Sequence, residues 1–558
     1  MSFLPYYRST FVLLSIFILE GFSTATEVSV TIKNGPIVGT QHVGHFAFEG
    51  IPYAKPPIGN RRFAGSELND ERWHEPKNTT RVGPVCLQWS HLKPGTDKLE
   101  GAEDCLFLNV YTPTLSVDAS LPTIVHLHGG AFMYGGGGYF RPDFLIKRHL
   151  ILVTVNYRLG PLGFLSTEDD VIAGNFGLKD QVTALQWVQQ NIRFFGGDAG
   201  KVTLSGFSAG SASVHLHYLS TLSRGLFQRS IGHSGSALNP WVMVERAAEK
   251  AKLIAAGAGC SPDSPSKELL QCLRQLPAEQ IVRQLPKLQD FLYNPYSPLG
   301  VVVEKRGKHN PAPFLAEDPR QLTRAGKMAK VPLLLSVTEA EGLYPAAEFF
   351  SNVSYLRHIN DHWNEVVPSI LDYKYAVQAS HQRDALSQVI RAHYLGSEQL
   401  SERTFPQFVR LVSNRLFFAG VTEAAKLMQP HIPVYFYLDH YKATYGLSEA
   451  LSGSGQYLGV PHGEDILLIF PSSLRDGYPY TVQELDMVAK FCDLYESFAL
   501  GYQPRFGNLA LPVQEDPERL TYLQINYPNS TIVTSDFLSD EPFWNILNFN
   551  ETYVVPRD

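Results

Sequence analysis

The stretch Lys201-Val-Thr-Leu-Ser-Gly-Phe-Ser-Ala-Gly-Ser-Ala-Ser213 decides the fold. It opens on apolar residues 202–204, which predict a strand, and it continues into a segment with helical spacing of apolar side chains. Between the two lies a G-x-S-x-G pattern centred on Ser208, which is typical of a nucleophile elbow. Side chains at Gly206 and Gly210 would collide with the neighbouring strand and helix. The helix that follows would direct its first N–H groups at an oxyanion.

The rest of the chain alternates apolar runs with helical patterns. The predicted buried strands are 106–111, 123–127, 150–157, 331–337 and 434–438, and the predicted helices are 177–193, 242–256 and 481–500. Residues 262–330 predict a helical insertion with surface loops, and residues 345–430 are predicted to be mainly helical. This alternation predicts an α/β fold with a large, mostly parallel mixed sheet and helices on both faces. Ser208 would then lie at the carboxyl ends of the strands, where such sheets bind ligands.

Composition fits one large globular domain with insertions. The chain has 558 residues, of which 44% are hydrophobic and 18% are charged. Its net charge of -7 provides no basic surface for nucleic acid, so we expect no nucleic-acid partner.

The N-terminus is typical of a secretory signal. Arg8 precedes an apolar run at 11–19, and the small residues Ser23 and Ala25 match a cleavage site after residue 25. We therefore expect residues 1–25 to be a signal peptide and residues 26–558 to form the catalytic domain. The polar C-terminus has no anchor pattern, so the mature chain is expected to be secreted without a membrane anchor.

Cysteines and glycosylation sequons agree with an oxidising compartment. Local pairing predicts the disulfides Cys86–Cys105 and Cys260–Cys272. Cys492 lies in a helical pattern and is expected to be a free, buried thiol. The predicted glycosylation sites are Asn78, Asn352, Asn529 and Asn550.

A nucleophilic serine requires a base and an acid, which in this type of fold follow in the chain order Ser, acid, His. His462 lies on a turn-rich loop and is the preferred base, with His431 and His440 as alternatives. Glu339 and Glu341 both follow the strand at 331–337, and the residue pattern alone does not choose between them.

The oxyanion donors are expected from a second glycine-containing loop. The strand at 123–127 ends in His128-Gly-Gly-Ala-Phe132. The N–H groups of Gly130 and Ala131, together with that of Ala209, are predicted to converge on the carbonyl oxygen of a substrate.

Several sequence blocks together resemble the type-B carboxylesterase and cholinesterase family, which has the α/β-hydrolase fold. The blocks are Phe48-Glu-Gly-Ile-Pro-Tyr-Ala54, Glu103-Asp-Cys-Leu-Phe-Leu-Asn-Val110, His128-Gly-Gly-Ala-Phe132, Asn156-Tyr-Arg158, Gly174-Asn-Phe-Gly-Leu-Lys-Asp180, Gly206-Phe-Ser-Ala-Gly210 and Gly459-Val-Pro-His-Gly463. Within the family, the elbow block is most similar to secreted insect β-esterases, including venom carboxylesterases.

The resemblance implies a role for each matching position. It implies Ser208 as nucleophile, His462 as base and Glu341, rather than Glu339, as acid. It further implies that Gly130, Ala131 and Ala209 are the oxyanion donors, that both cysteine pairs are family disulfides, and that Ser234 stands behind the triad. Arg62 with Glu103 and Arg158 with Asp180 match structural ion pairs of the family.

The implied activity is that of a secreted serine carboxylesterase that acts on neutral, largely apolar esters through an acyl-enzyme, with no metal or cofactor. A hormone- or pheromone-degrading esterase is an alternative, although juvenile hormone esterases usually have Gln where this chain has Phe207. The alternative from another class is a catalytically silent adhesion relative, which would lack triad residues. The sequence does not indicate an oligomeric state.

Overall fold

A computed structural model describes residues 26–472, 475, 477–547 and 549. The predicted signal peptide at 1–25, the sequon at Asn550 and the polar C-terminal end lie outside the described residues. No helix in the described ranges combines the length and the apolar character that crossing a bilayer requires.

The strands run from the N-terminal hairpin to the C-terminal edge of one large sheet. They are β1 Thr26–Ile32, β2 Gly35–His42, β3 His45–Pro52, β4 Lys77–Asn78, β5 Gln88–Trp89, β6 Leu99–Glu100, β7 Phe107–Thr112, β8 Leu121–Leu127, β9 Ile151–Val155, β10 Gly197–Phe207, β11 Arg229–His233, β12 Leu333–Thr338, β13 Val434–Asp439, β14 Arg505–Phe506, β15 Leu509–Ala510, β16 Leu520–Ile525 and β17 Thr531–Ser535.

The large sheet is mixed and mostly parallel, as predicted. Its order is β1-β2-β3-β7-β9-β8-β10-β11-β12-β13-β16-β17, with β4 beside β2. The strands from β9 to β16 in this order are mutually parallel, whereas both edges are antiparallel. Strand β7 pairs antiparallel with both β3 and β9.

The helices cover both faces of the sheet. They are α1 Gly160–Phe164, α2 Phe176–Asn191, α3 Ala209–Leu219, α4 Ala247–Ala258, α5 Ser266–Gln275, α6 Ala278–Val282, α7 Pro319–Arg324, α8 Leu343–Phe350, α9 Val353–Asp361, α10 Trp363–Ile370, α11 Ser380–Leu395, α12 Phe405–Ser413, α13 Ala419–Met428, α14 Leu447–Ser452, α15 Glu464–Ile469, α16 Val482–Ala499 and α17 Glu541–Leu547. Alternate residues of β8 enter different cores: Val125 and Leu127 pack with α2 and α3, and Ile124 packs with α16. Both faces are therefore buried, which explains the continuous apolar runs in the strands.

One predicted helix begins later than expected. The sequence predicts a helix over 242–256, but α4 spans Ala247–Ala258. Residues 242–244 are not helical, because Val244 N donates to Val301 O at 2.9 Å and Val301 N donates to Val242 O at 2.8 Å. Pairing with a distant segment overrides the local helical pattern here.

The order of the strands in the sheet determines where the loops that carry Ser208 and Gly130 lie. Strand β8 lies between β9 and β10, so the chain leaves β8 towards one side of the sheet and returns on the other. This reversal is a topological switch point, where the loops that follow neighbouring strands diverge and leave a crevice. The loop after β8 carries Gly130 and Ala131, and the turn after β10 carries Ser208.

Candidate active site

The turn between β10 and α3 has the geometry of a nucleophile elbow. Ser208 adopts φ 58° and ψ -119°, a conformation that side chains rarely occupy. A Cβ on Gly206 would lie 2.2 Å from Gly210 O, and one on Gly210 would lie 2.0 Å from Leu127 O. Ser208 N donates to His233 O at 2.8 Å, so the neighbouring strand fixes the strained turn.

His462 and Glu341 are brought together from segments 121 residues apart. His462 Nδ1 lies 2.5 Å from Glu341 Oε2, and both side chains are buried. Ala340 N donates to Val460 O at 2.9 Å, so the loops that carry the two residues run side by side. The other carboxylate oxygen of Glu341 accepts from Ser234 Oγ at 2.6 Å and from Thr338 N at 2.7 Å. These bonds fix the carboxylate, and the carboxylate in turn orients the imidazole.

The structure separates the alternative residues from this cluster. Glu339 Oε2 accepts from Tyr457 OH at 2.9 Å, and the Glu339 side chain lines a different cavity from the one that Ser208 and His462 share. His440 Nδ1 lies 3.7 Å from Glu339, and His431 Nε2 lies 3.3 Å from Arg324 O. Of the two glutamates, the described contacts join only Glu341 to His462.

The expected oxyanion donors lie on two adjacent loops. Gly130 and Ala131 follow β8 with φ values of 98° and 53°, and Ala209 is the first residue of α3. Ser297 Oγ donates to Ala131 O at 3.1 Å and holds this loop from behind. Across the described ranges, none of these three N–H groups has a hydrogen-bond partner, so all three are free to bind an oxyanion.

Aromatic rings enclose the imidazole of His462. The ring centroids of Phe417, Phe207 and Tyr344 lie 4.5, 4.6 and 5.7 Å from that of His462. Only 3% of the His462 surface is exposed, so bulk water is largely excluded from the imidazole.

A buried polar cluster connects the elements next to the two loops. His233 Nδ1 lies 3.0 Å from Asp465 Oδ2, and its Nε2 lies 2.6 Å from Tyr495 OH. Tyr437 OH donates to Asp465 at 2.8 Å. Burial by itself raises the pKa of Asp465, but the hydrogen bond and the charge of His233 outweigh it and hold that pKa below its usual value. The cluster links the elbow, through the His233 carbonyl, to the helix that follows His462.

Ser208 and His462 open into a shared cavity of about 340 Å³. Most of its lining is apolar or aromatic: Leu92, Pro94, Tyr134, Tyr139, Phe140, Phe207, Tyr344, Leu447, Ile466, Leu467 and Phe470. Lys93 and Glu100 also line it, so the described residues of the lining contribute one lysine and one carboxylate. A cavity of this size and character suits a small apolar molecule.

The predicted disulfides are present in the structure. The S–S distance is 2.01 Å for Cys86–Cys105 and 2.03 Å for Cys260–Cys272. Cys492 is free and buried, and burial raises the pKa of its thiol to about 12. Such a thiol is unreactive at neutral pH.

The sequons and ion pairs lie where the sequence suggests. Asn78, Asn352 and Asn529 are exposed, as glycan attachment requires, and their glycosylation stays a prediction. The two predicted ion pairs are bidentate: Arg62 Nε and Nη2 lie 2.5 and 2.7 Å from Glu103, and Arg158 Nε and Nη2 lie 2.8 and 2.7 Å from Asp180.

Sequence patterns do not indicate several residues that surround His462. Tyr134 and Tyr344 follow Gly130 and Glu341 by four and three residues, and this proximity to the motifs was the available signal. Phe417 belongs to a segment with no motif, and only the tertiary structure brings it to His462.

The segment that follows His462 also contains a carboxyl group whose pKa predicts an effect of pH on stability. Burial raises the pKa of Glu464 from 4.5 to about 7, although the charge of Lys442 and the hydrogen bond from Ala443 N oppose the rise. The folded protein therefore binds more protons at this site than the unfolded chain between about pH 4.5 and 7, and stability falls as pH rises through that window. In urea unfolding, Glu464→Gln should raise the free energy of unfolding by about 3 kcal/mol at pH 8 and change it little at pH 4.

Glu484 provides a control, because its pKa is shifted in the opposite direction from that of Glu464. Burial raises its pKa, but hydrogen bonds from Thr481 N, Arg475 and Thr444 N outweigh this and hold that pKa below its ordinary value. Glu484→Gln should therefore destabilise the protein at pH 8, and the loss should shrink in acid. Equal destabilisation by both substitutions at pH 8 would refute the prediction for Glu464.

Comparisons with known proteins agree with this geometry. A "Carboxylic ester hydrolase" of Bombus ignitus is 38% identical over 520 residues, which cover 92% of each chain. Venom carboxylesterase-6 of Apis mellifera is 37% identical over 514 residues, or 90% of each chain. A juvenile hormone esterase of Tribolium castaneum is 36% identical over 469 residues, or 80% of this chain and 79% of the relative.

A solved structure and a family model extend the comparison to the whole fold. The crystal structure of juvenile hormone esterase from Manduca sexta, with OTFP covalently attached, aligns with a TM-score of 0.81 at 25% identity. The alignment covers 94% of this chain and 99% of that one, which identifies the sheet and its helices as an α/β-hydrolase fold. The model of the carboxylesterase family matches residues 26–544. This chain therefore belongs to the carboxylesterase family.

Proposed function

We propose that the protein is a secreted serine carboxylesterase that hydrolyses neutral, largely apolar esters. The observation that carries the proposal is that Ser208 and His462 line one cavity while Glu341 bonds to His462. Family membership supports a carboxylic ester hydrolase that acts on small molecules. The apolar N-terminal run, the two disulfides and the exposed sequons support cleavage after residue 25, secretion and a catalytic domain from residue 26 onward.

The proposed reaction has two halves. Ser208 Oγ attacks the ester carbonyl while His462 takes its proton, and the oxyanion binds the N–H groups of Gly130, Ala131 and Ala209. His462 then gives the proton to the leaving alcohol, and an acyl-enzyme remains. In the second half, water attacks the acyl carbon, loses a proton to His462 and releases the acid as Ser208 recovers its proton. Glu341 stabilises the imidazolium that forms in each half.

The cavity lining favours uncharged esters over choline esters. A quaternary ammonium binds well over an aromatic face without a competing cation. Trp89, the tryptophan of the Cys86–Cys105 loop, is not among the residues that line the cavity. Lys93 faces the cavity together with Glu100, so a cation gains little net attraction.

The test compares kcat/KM for neutral and cationic esters with the same acyl group. We expect kcat/KM for nitrophenyl or naphthyl acetate and butyrate to exceed kcat/KM for acetylcholine and butyrylcholine by at least about tenfold. A tenfold difference corresponds to about 1.4 kcal/mol. Equal or better values for the choline esters would contradict the proposal. Loss of that choline activity in Glu100→Gln would then identify the carboxylate as the partner of the cation.

A further inference from the structure

Two tyrosine side chains meet in the wall of the mostly apolar cavity. Tyr134 and Tyr344 both line the cavity, and their hydroxyls are hydrogen-bonded to each other. Tyr344 OH also lies 3.3 Å from His91 Nε2. The three side chains form a short hydrogen-bonded chain that ends at Tyr134.

Each member is fixed by its own segment. His91 lies within the Cys86–Cys105 loop, where its ring stacks on Tyr293 at a centroid distance of 3.9 Å. The ring of Tyr344 lies parallel to that of His462, with an interplanar angle of 19° and a centroid distance of 5.7 Å. The hydroxyl pair is therefore held in place before a substrate binds, on side chains that line the same cavity as Ser208.

All three groups are neutral at ordinary pH. Burial, assisted by Lys98, lowers the pKa of His91 to about 3. Burial raises the pKa of Tyr134 to about 12, although its hydrogen bond to Tyr344 opposes the rise. Burial likewise raises the pKa of Tyr344 well above its ordinary value.

The position of the proton on His91 determines whether Tyr134, at the end of the hydrogen-bonded chain, can donate or accept a further hydrogen bond. If His91 Nε2 carries the proton, it donates to Tyr344, Tyr344 donates to Tyr134, and the proton of Tyr134 is free. If Nε2 carries no proton, Tyr344 OH donates to Nε2 and Tyr134 OH donates to Tyr344. The lone pairs of Tyr134 then remain available. In either tautomer Tyr134 can make one more hydrogen bond, and a hydroxyl group satisfies both cases because it donates and accepts.

We propose that Tyr134 and Tyr344 form a polar subsite that selects esters with a hydroxyl group a few atoms from the scissile carbonyl. The inference rests on the proposed ester hydrolase function and specifies its substrate class. A net neutral hydrogen bond corresponds to about a 3- to 10-fold preference in kcat/KM. A site built to bond a hydroxyl would thereby discriminate against the plain alkyl chain.

The test uses two series of probes, so that the acyl and alcohol sides are both sampled. One series is methyl esters of straight-chain acids with the hydroxyl on successive carbons, and the other is hydroxyalkyl acetates of increasing length. Each probe is paired with its unsubstituted parent, and acid release is followed by titration against an enzyme-free blank. The quantity compared is the ratio of kcat/KM for the hydroxy ester to that for its parent.

Three variants accompany the wild type. Tyr134→Phe and Tyr344→Phe remove one hydroxyl each and keep the ring. If one of the two variants does not fold, the other still tests the subsite. Tyr457→Phe is the control, because its hydroxyl donates to Glu339 at the other cavity. We expect the ratio at one hydroxyl position to fall about 3- to 10-fold in Tyr134→Phe, which removes the bond to the substrate. The ratio should also fall in Tyr344→Phe, because the hydroxyl of Tyr134 then loses the bond that fixes it. It should stay at the wild-type value in the control.

The outcomes separate the subsite from the proposed function. Ratios that are unchanged at every position in both subsite variants, or an equal fall in Tyr457→Phe, would overturn the subsite. No hydrolysis of the unsubstituted parents by the wild type would instead count against the ester hydrolase function on which the subsite rests.

Discussion

Replacement of Ser208 with alanine is expected to lower kcat/KM for neutral esters by about 10⁴- to 10⁶-fold. The side chain is 5% exposed, and the strained turn is fixed by a bond from its backbone N–H, which alanine retains. The variant should therefore fold with nearly wild-type stability while it loses the atom that attacks the carbonyl. Initial rates on nitrophenyl butyrate, with thermal unfolding of the same samples, measure both quantities.

A serine at another turn provides the matched control. Ser220 caps a short helix after α3, and its Oγ accepts from Leu222 N at 3.3 Å. Ser220→Ala should keep the wild-type rate and lose about 1 kcal/mol of stability, as is typical when a helix cap is removed. A Ser208→Ala variant that folds and hydrolyses esters within tenfold of the wild-type rate would exclude Ser208 as the nucleophile.

Replacement of Glu341 with glutamine should lower kcat by about 10⁴-fold, the size of effect expected when the residue that orients a catalytic histidine becomes an amide. Glu341 Oε2 faces His462 Nδ1 at 2.5 Å, and an amide there neither stabilises the imidazolium nor selects the correct tautomer. Steady-state kinetics on a neutral ester should show the loss mainly in kcat.

Glu339→Gln is the internal control, because both residues follow the same strand. Glu339 bonds to Tyr457 and lies beside His440, away from the cavity of Ser208. Its substitution should leave kcat within about twofold, as surface changes away from a site usually do. A greater loss for Glu339→Gln than for Glu341→Gln would mean that the acid is assigned to the wrong residue.

The elements nearest Ser208 could be predicted because their sequence pattern and their tertiary environment agree. The apolar run before Ser208 and the helical spacing after it correspond to β10 and α3. The strand direction of β7 could not be predicted, because an apolar run has the same pattern in either orientation. The prediction of a helix over residues 242–244 is wrong, since their partner, Val301, lies far away in sequence.

The residues of the candidate site likewise fall into those that the sequence alone could predict and those that it could not. Ser208 and His462 stand in local patterns that indicate chemistry, so the residues alone suggested them. The choice of Glu341 over Glu339 needed family resemblance, because two carboxylates after one strand are equivalent until the loops are placed in space. The tyrosine subsite depends on contacts between residues 91, 134 and 344, and no local pattern encodes such contacts.

The most direct test of the account is the site at which an organophosphate attaches covalently. After treatment with a fluorophosphonate, intact mass spectrometry and peptide mapping should show one adduct per chain, on Ser208, with hydrolysis lost in proportion to labelling. The Ser208→Ala variant should remain unlabelled, and the Ser220→Ala variant should label like the wild type. An adduct on a different serine, or full hydrolysis after Ser208 is completely labelled, would contradict the assignment of Ser208 as the nucleophile.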